Sequence, residues 1–250
     1  MKKNKIIKNK RTETKKWYSF LNWLDPFTYL DLFLNKVFGE PKTTDKQIIF
    51  WLIYIIFAFG VAYLLYSVIG LILGSGMPLA TVVSGSMEPT FKRGDIVILG
   101  SPKNIDAQVI DFNENIANKD LSSFAEMTYR KNEYGLDEID TITIANQTIK
   151  IDDIRTNKNS VIVYVSNIRG IPIIHRTVGI INANDGTYVM TKGDNKKTNR
   201  FIDQDCEVSE FTGKPTKGCL NLYLVNTKDL VGKKIGLIPY IGYIKLFLFG

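Results

Sequence analysis

The sequence predicts a mainly β protein, in which an antiparallel β domain follows one long apolar helix. The helix is indicated by 26 residues without a charge, from Ile48 to Leu73. The β domain is indicated by short β-branched stretches, separated by Gly, Asn and Asp, that dominate the chain after residue 95. Charge separates the two parts, because residues 1–47 hold 11 Lys and Arg against 5 Asp and Glu, or +6 of the net +7.

This placement of charge bears on the kind of partner. The remaining residues carry 21 basic against 20 acidic side chains, so the predicted β domain is close to neutral. A nucleic-acid groove needs a basic face on the domain itself, which argues against nucleic acid as a partner. A basic segment directly before an apolar helix is typical of a membrane-topology signal.

The N-terminal third divides into three predicted segments. Residues 1–16 read as a disordered basic tail because they lack apolar periodicity. Residues 17–47 hold two short amphipathic helices, which we expect to lie on the cytoplasmic membrane surface or, alternatively, to pack on another subunit or on the chain itself. The second of these helices should begin with Asp25 as N-cap and Pro26 in its first turn. Helical spacing also joins aromatic and leucine side chains, namely Trp17, Phe20, Leu21, Leu24, Phe27, Leu30, Leu34 and Phe38.

Residues 48–73 are expected to span a bilayer. At 1.5 Å per residue the run is about 39 Å long, against about 30 Å for a hydrocarbon core. It is too long and too late in the chain for a cleaved signal peptide, so we expect an uncleaved, single-pass anchor. The positive-inside rule places the N-terminus in the cytoplasm and residues 74–250 outside.

The outer part, residues 74–250, is predicted to be one β domain. An insertion is expected at about residues 101–138, with a short helix near Leu121–Tyr129. The strands are predicted at Ile96–Leu99, Thr141–Ile144, Thr148–Ile151, Val161–Val165, around Ile171–Ile181 and after Thr187.

A hairpin is predicted around the turn Ala183-Asn-Asp-Gly186. If Asn182 pairs with Thr187, then His175 faces Asp194, within a slip of a residue or two. His175 is the only histidine of the chain. Imidazole suits a general base near neutral pH, and an adjacent carboxylate would hold its useful tautomer. The alternative is a structural strand histidine.

A polar stretch ten residues after the helix carries the candidate nucleophile. Its sequence is Ser84-Gly-Ser-Met-Glu-Pro-Thr90. The glycine permits a tight backbone, and the proline disfavours helix at Glu88. A serine on such a bend is a candidate nucleophile, although a plain polar loop would look the same.

With these motifs the chain resembles the type I signal peptidases. The resemblance rests on segments in that family's order: Ser84–Thr90, Gly94-Asp-Ile-Val97, Ile174-His-Arg-Thr-Val-Gly179, Thr191-Lys-Gly-Asp-Asn195, Val231-Gly-Lys-Lys-Ile-Gly236 and Pro239-Tyr-Ile-Gly-Tyr-Ile244. Bacterial housekeeping members carry lysine where His175 stands. The histidine therefore indicates the archaeal and endoplasmic-reticulum type, with Ser/His/Asp chemistry in an antiparallel β catalytic domain.

The resemblance implies roles for four catalytic residues. Ser86 is the nucleophile and His175 the base, while the Ser86 N–H and the Ser84 hydroxyl form the oxyanion hole. The acid is Asp203 by the family's pattern and Asp194 by the hairpin argument, with Asp205 as a further candidate. No metal and no cofactor are implied.

The resemblance also implies the substrate and the setting. The substrate is a secretory preprotein whose signal peptide binds as an extended strand, with small residues at −1 and −3. Met87, Pro89 and Ile174 are assigned to the substrate-binding surface. The lipid bilayer is a partner, and accessory membrane subunits or the translocon are further candidates.

Two departures keep other functions open. Asp194 and Asp203 lie further apart than is usual in the family, which would fit an inactive signal-peptide-binding or assembly subunit. A specialised protease for a single surface precursor is the other alternative. Many relatives carry a second, C-terminal membrane helix, for which Lys245–Gly250 is too short. Cys206 and Cys219 are expected to form a disulfide on the oxidising side, the alternative being two free thiols.

Overall fold

The computed structural model describes residues 23–156, 158–206 and 219–249. Two compact units, residues 1–66 and 67–250, are distinguished within the chain. The first predicted amphipathic helix, with Trp17, Phe20 and Leu21, lies mostly outside the described residues, as does the basic tail 1–16.

The first of the two N-terminal helices begins where the sequence predicts. Helix α1 runs over Pro26–Phe38, and Asp25 caps it by accepting a hydrogen bond from the Phe27 N–H at 3.0 Å. Helix α2 covers Thr44–Leu73, 30 residues with a mean hydropathy of 2.6 in its most apolar window. By length and composition it is the one candidate membrane span in the described part of the chain. It begins four residues before the uncharged run, because Thr44-Asp-Lys-Gln supplies its first polar turn.

The second unit is mainly antiparallel β, as predicted. Its described strands are β1 (Leu79–Thr81), β2 (Ile96–Gly100), β3 (Gln108–Phe112), β4 (Glu126–Lys131), β5 (Asp137–Ile144), β6 (Gln147–Lys150), β7 (Val161–Val165), β8 (Pro172–Ala183), β9 (Gly186–Lys192), β10 (Val225–Asn226) and β11 (Leu230–Ile238). Two short helices complete it: α3 (Asp153–Thr156) and α4 (Tyr243–Phe249).

The larger sheet has the order β1-β2-β11-β7-β8-β9-β10. Its centre is β8, a strand of 12 residues that is long enough to serve several neighbours. Strand β7 pairs with its first half, residues 172–176, while β3 pairs in parallel with residues 179–183. Strand β9 pairs antiparallel with residues 176–183.

The hairpin of β8 and β9 has the predicted turn, but not the predicted register throughout. Asn182 faces Thr187, as expected. A bulge between Thr177 and Gly179 then shifts the pairing by one residue, so that Thr177 faces Thr191 and Arg176 faces Lys192. The predicted pairing of His175 with Asp194 is therefore wrong. A one-residue shift exchanges the faces of a strand, which turns Asp194 away from the histidine.

The stretch 101–138 is more regular than predicted. Strand β3 belongs to the larger sheet, and β4 begins a second antiparallel sheet of order β4-β5-β6. The helix expected near Leu121–Tyr129 is wrong: only Leu121–Ser123 forms a single 3₁₀ turn. Met127 of β4 packs against the core while its neighbours are more exposed, an alternation that suits a strand.

Three apolar clusters hold the second unit together. One lies between the two sheets and joins β5 side chains such as Ile139 to Val178 and Met190. Another includes Met87 and Phe91, each 1% exposed, packed with Leu99 and Val163. It anchors the serine stretch to the sheet. The third lies around Ile162, Tyr164 and Val189.

Candidate active site

The serine stretch forms a compact loop over the apolar cluster. Met87 is buried and pins its middle, while Ser84 is exposed and Ser86 half-buried. The Glu88 N–H donates to the Gly85 carbonyl at 3.1 Å, which tightens the bend. The two serine hydroxyl oxygens lie 3.2 Å apart, so both are presented on the same side of the loop.

The segment after β9 holds this loop in place by hydrogen bonds. The Asn195 N–H donates to the Ser86 carbonyl at 2.9 Å, and the Asn195 side-chain amide donates to the Gly85 carbonyl at 2.8 Å. The approach is close enough to require glycine at 193, because a Cβ there would lie 2.6 Å from the Ser86 carbonyl oxygen.

His175 lies on β8 and is 1% exposed. Its Nδ1 is 2.6 Å from Oδ2 of Asp203. Because Nδ1 is occupied in this way, Nε2 is the ring nitrogen that remains for a reacting group. Of the three acids considered from the sequence, Asp203 is thus the one bonded to the histidine.

The other two acids have different partners. Asp194 is buried and makes a bidentate pair with Arg176, at 2.9 Å to Nε and 2.7 Å to Nη2. It also accepts a hydrogen bond from the Thr90 hydroxyl at 2.5 Å. Asp205 accepts one from the Tyr129 hydroxyl at 3.0 Å. Asp194 therefore ties the end of the serine stretch to β8.

An open cleft of about 450 Å³ joins the serine loop and the histidine. Ser84, Ser86 and His175 line it, together with Met87 and Ile174 from the predicted substrate-binding set. The third member of that set, Pro89, is exposed and is not among the residues that line the cleft. Its contact with substrate stays a prediction.

The segment that carries Asp203 is closed by a disulfide. Cys206 and Cys219 are bonded, with a Cα–Cα distance of 4.9 Å. The Leu220 N–H, directly after the second cysteine, donates to the Asp203 carbonyl at 2.9 Å. The disulfide thus joins the two chain segments that meet at this acid, while residues 207–218 lie outside the described part.

Sequence similarity to known proteins extends over most of the chain. No protein-family model matches the chain. It is 24% identical to the signal peptidase complex catalytic subunit SEC11 of Candida tropicalis over 192 residues, which are 77% of this chain and 78% of that protein. It is 26% identical to the protein of the same name from Saccharomyces cerevisiae over 198 residues, 79% and 81% of the two chains. For that of Chaetomium globosum the values are 26% over 187 residues, 75% and 73%.

The chain is thus similar to catalytic subunits of the signal peptidase complex, which supports a type I signal peptidase-like family of the endoplasmic-reticulum type. This confirms the resemblance drawn from the motifs, and with it the enzyme class, a peptidase. At the level of this family, signal peptide removal is the supported activity. The apolar helix α2 fits a single-pass membrane anchor.

Several residues of the site were missed by sequence reasoning. Arg176 and Asn195 stand next to predicted site residues, yet nothing in the sequence alone shows which carboxylate or carbonyl each one binds. Tyr164 and Thr191 belong to residue patterns that predict strands, and nothing else in the sequence indicates that they contribute to the site. Both hydroxyls donate to Oδ2 of Asp203, at 2.9 and 2.6 Å.

A buried ion pair on the other side of β9 was also missed. Lys192 and Glu138 are each 3% exposed, and their charged groups lie 3.5 Å apart. Burial lowers the pKa of Lys192 below its usual value, and the charge of Glu138 offsets part of that change. The pair lines a second cavity of about 440 Å³ between β5 and the end of β9.

The described residues contain no group of three or more His, Cys, Asp or Glu side chains that could hold a metal ion.

Proposed function

We propose that this chain is a membrane-anchored serine endopeptidase that removes signal peptides from secretory preproteins. The observation that carries the proposal is the bond of 2.6 Å between His175 and Asp203, at a cleft that Ser86 also lines. A buried imidazole held by a carboxylate, beside an accessible hydroxyl, is the arrangement that acyl transfer by a serine requires.

In the proposed reaction, Ser86 Oγ attacks the scissile carbonyl carbon and gives its proton to His175 Nε2. The new C–O bond leaves negative charge on the carbonyl oxygen, which the Ser86 N–H and the Ser84 hydroxyl would stabilise. When the C–N bond breaks, the imidazolium returns the proton to the leaving amine. Water, activated by the same nitrogen, then hydrolyses the acyl-enzyme and regenerates Ser86.

We assign the acid of the triad to Asp203. Its Oδ2 meets His175 Nδ1, so that it can hold one tautomer and stabilise the imidazolium. Asp194 is committed to Arg176 and Thr90 instead, and its proposed role is to hold the serine stretch in place. The long spacing between Asp194 and Asp203 was the reason to consider an inactive relative. Asp203 nevertheless lies against the histidine, so the spacing no longer favours that alternative.

The proposed substrate lies as an extended strand along the cleft, with small residues at −1 and −3. Residues 81–84 at the end of β1 and after it, and residues 171–174 at the start of β8, contribute to the lining of the cleft. Side chains such as Met87 and Ile174 would restrict its depth. Shallow apolar pockets of this kind favour alanine over larger residues. We further propose that the N-terminus is cytoplasmic and residues 74–250 are external, because the basic excess precedes α2.

The relatives are named as subunits of a complex, and we propose that this chain also associates with accessory membrane subunits. The translocon is a further proposed neighbour, because an emerging signal peptide must reach the cleft. Co-purification of the tagged chain from its native membrane, under a mild detergent, tests this association.

Cleavage of a preprotein tests the proposed activity. The full chain is reconstituted in liposomes and given a preprotein whose signal peptide ends in Ala-X-Ala. We expect cleavage after the second alanine by wild type and none by Ser86→Ala. Ser84→Ala should lower kcat by about 10²- to 10³-fold with little change in KM, the loss typical of one oxyanion donor.

Ser122→Ala is the matched control, because Ser122 is an exposed serine that does not line the cleft. It should cleave at the wild-type rate. Equal cleavage by wild type and Ser86→Ala would overturn the assignment of the nucleophile. Absence of cleavage by the wild-type chain would overturn the proposal that this chain is itself the peptidase.

A further inference from the structure

The carboxylate of Asp203 is held by more than the histidine. Its Oδ2 is the acceptor of three hydrogen bonds, from His175 Nδ1 at 2.6 Å, the Thr191 hydroxyl at 2.6 Å and the Tyr164 hydroxyl at 2.9 Å. All four residues are at most 1% exposed, so water does not compete for these bonds.

The three donors come from three adjacent strands of the larger sheet. Tyr164 lies on β7, His175 on β8 and Thr191 on β9. These strands are consecutive neighbours in the sheet, and their relative positions are fixed by backbone pairing. Asp203 also donates its own N–H to the Thr191 carbonyl at 2.8 Å, which holds the main chain of the acid to β9.

A fifth residue, Gln204, fixes the direction of the Thr191 bond. The Gln204 Oε1 accepts the backbone N–H of Thr191 at 3.0 Å, which orients the amide, because only its oxygen can accept. Its Nε2 then lies 3.1 Å from the Thr191 hydroxyl and must donate to it. With an incoming donor on its oxygen, the hydroxyl turns its own proton to Asp203.

The Tyr164 bond has a fixed direction for another reason. Burial, together with the charge of Asp203, raises the pKa of Tyr164 well above its usual value. The phenol therefore keeps its proton throughout the pH range in which a protein functions. It is a permanent donor to the carboxylate.

We propose that Tyr164, Thr191 and Gln204 are positioning residues that lock the Asp203 carboxylate onto His175 Nδ1. This inference deepens the proposed function and rests on it. It explains how the acid of the proposed triad is held against the histidine by residues that do not touch the substrate. Without the two hydroxyls, Oδ2 would lose two of its three bonds and the carboxylate could rotate about its Cβ–Cγ bond. The imidazole would then no longer be held in the Nδ1–H form, which leaves Nε2 free to accept a proton.

The chain supplies a matched control in Thr177. It faces Thr191 across the β8–β9 pairing, and both are fully buried. The Thr177 hydroxyl has no hydrogen-bond partner in the described structure, whereas that of Thr191 has two. Replacing threonine by valine therefore removes the hydroxyl group at two facing positions. Only the hydroxyl at position 191 is bonded to Asp203.

The test combines kinetics with nitrogen NMR of the imidazole in the full chain. Because the chain has one histidine, ¹⁵N-histidine labelling reports His175 alone and shows which ring nitrogen carries the proton. We expect Thr191→Val and Tyr164→Phe each to lower kcat by about tenfold or more, with KM within about twofold. Both should shift the imidazole from the Nδ1–H form to a mixture of tautomers. Thr177→Val should leave kcat and the spectrum unchanged, and Thr191→Ser should recover most of the loss.

The possible outcomes distinguish the positioning role of these residues from the proposed peptidase function. If wild type cleaves and Thr191→Val behaves like Thr177→Val in rate and spectrum, the positioning role is overturned. If the wild type does not cleave, but the tautomer shifts in Thr191→Val and not in Thr177→Val, the positioning network stands and the proposed function fails. Should Thr191→Val not fold, Tyr164→Phe decides the matter by the same two readouts, and an unchanged rate and spectrum there would overturn the proposal.

Discussion

Asp194 and Asp203 are both buried carboxylates near the cleft, but their partners differ in kind. Asp194 faces a guanidinium that is itself only 10% exposed in its side chain, so each charge balances the other. Asp203 faces an imidazole and two hydroxyls, and it meets a full positive charge only when the imidazole is protonated. One carboxylate is therefore suited to holding structure, and the other to stabilising a charge that appears during a reaction.

Neutralising the two acids should consequently give opposite results. Asp194→Asn leaves Arg176 as a buried charge without its partner, which should lower the free energy of unfolding by about 3–5 kcal/mol. Asp203→Asn removes no ion pair of that kind, but it should lower kcat by about 10³- to 10⁴-fold through the wrong imidazole tautomer. Guanidinium unfolding and steady-state kinetics on both variants measure this difference. A stable but inactive Asp194→Asn beside an active Asp203→Asn would reverse the assignment.

At the scale of elements, the bulge in β8 decides which side chains meet. The hairpin, its turn and the pairing of Asn182 with Thr187 could be predicted, because turn residues and alternation are local signals. The bulge next to Val178 could not, since its pairing depends on what packs behind it. Val178 is fully buried in the cluster between the two sheets. With the shifted register, Asp194 is bonded to Arg176 and not to His175.

The disulfide is the element that closes the acid's segment, so its removal should affect stability and rate together. We expect the double variant Cys206→Ser, Cys219→Ser to lose about 3 kcal/mol of stability, the value typical of a short closed loop. Its kcat should also fall, because Leu220 donates to the Asp203 carbonyl directly after Cys219. Unfolding curves and initial rates test this.

A reductant provides the control for that experiment. It should produce the same two changes in the wild-type chain and none in the double serine variant. An unchanged rate in both cases would mean that the strands hold Asp203 without help from the disulfide.

At the scale of the whole second unit, the pair of Lys192 and Glu138 is a charged contact between the two sheets, since Lys192 lies on β9 and Glu138 on β5. The sequence indicated a β domain with an insertion, and it could not indicate this contact. Sequence separation between the two residues is large, and their strands belong to different sheets. Residues such as Tyr164 and Gln204 could not be predicted as site residues for the same reason, because their contacts form only when distant parts of the chain come together.

The lowered pKa of Lys192 gives this pair a signature in the pH dependence of stability. Between that lowered value and the usual one of about 10.4, the unfolded chain binds more protons at this lysine than the folded chain does. The free energy of unfolding therefore gains a contribution that increases with pH, by at most about 1.4 kcal/mol per pH unit. Lys192→Met lacks this contribution, so the difference in stability between wild type and variant should increase from pH 7 to pH 10. Guanidinium unfolding at several pH values measures it, and a difference that stays constant would contradict the lowered pKa.

The convergence of three strands on one carboxylate oxygen also has an evolutionary consequence. The acid is secured at its destination by β7, β8 and β9, whatever the length of the path that the chain takes from Asp194 to Asp203. Residues can be gained or lost along that path while the acid returns to the same place. Identification of the acid in other relatives should accordingly rest on the strand partners of the carboxylate and not on its distance along the sequence.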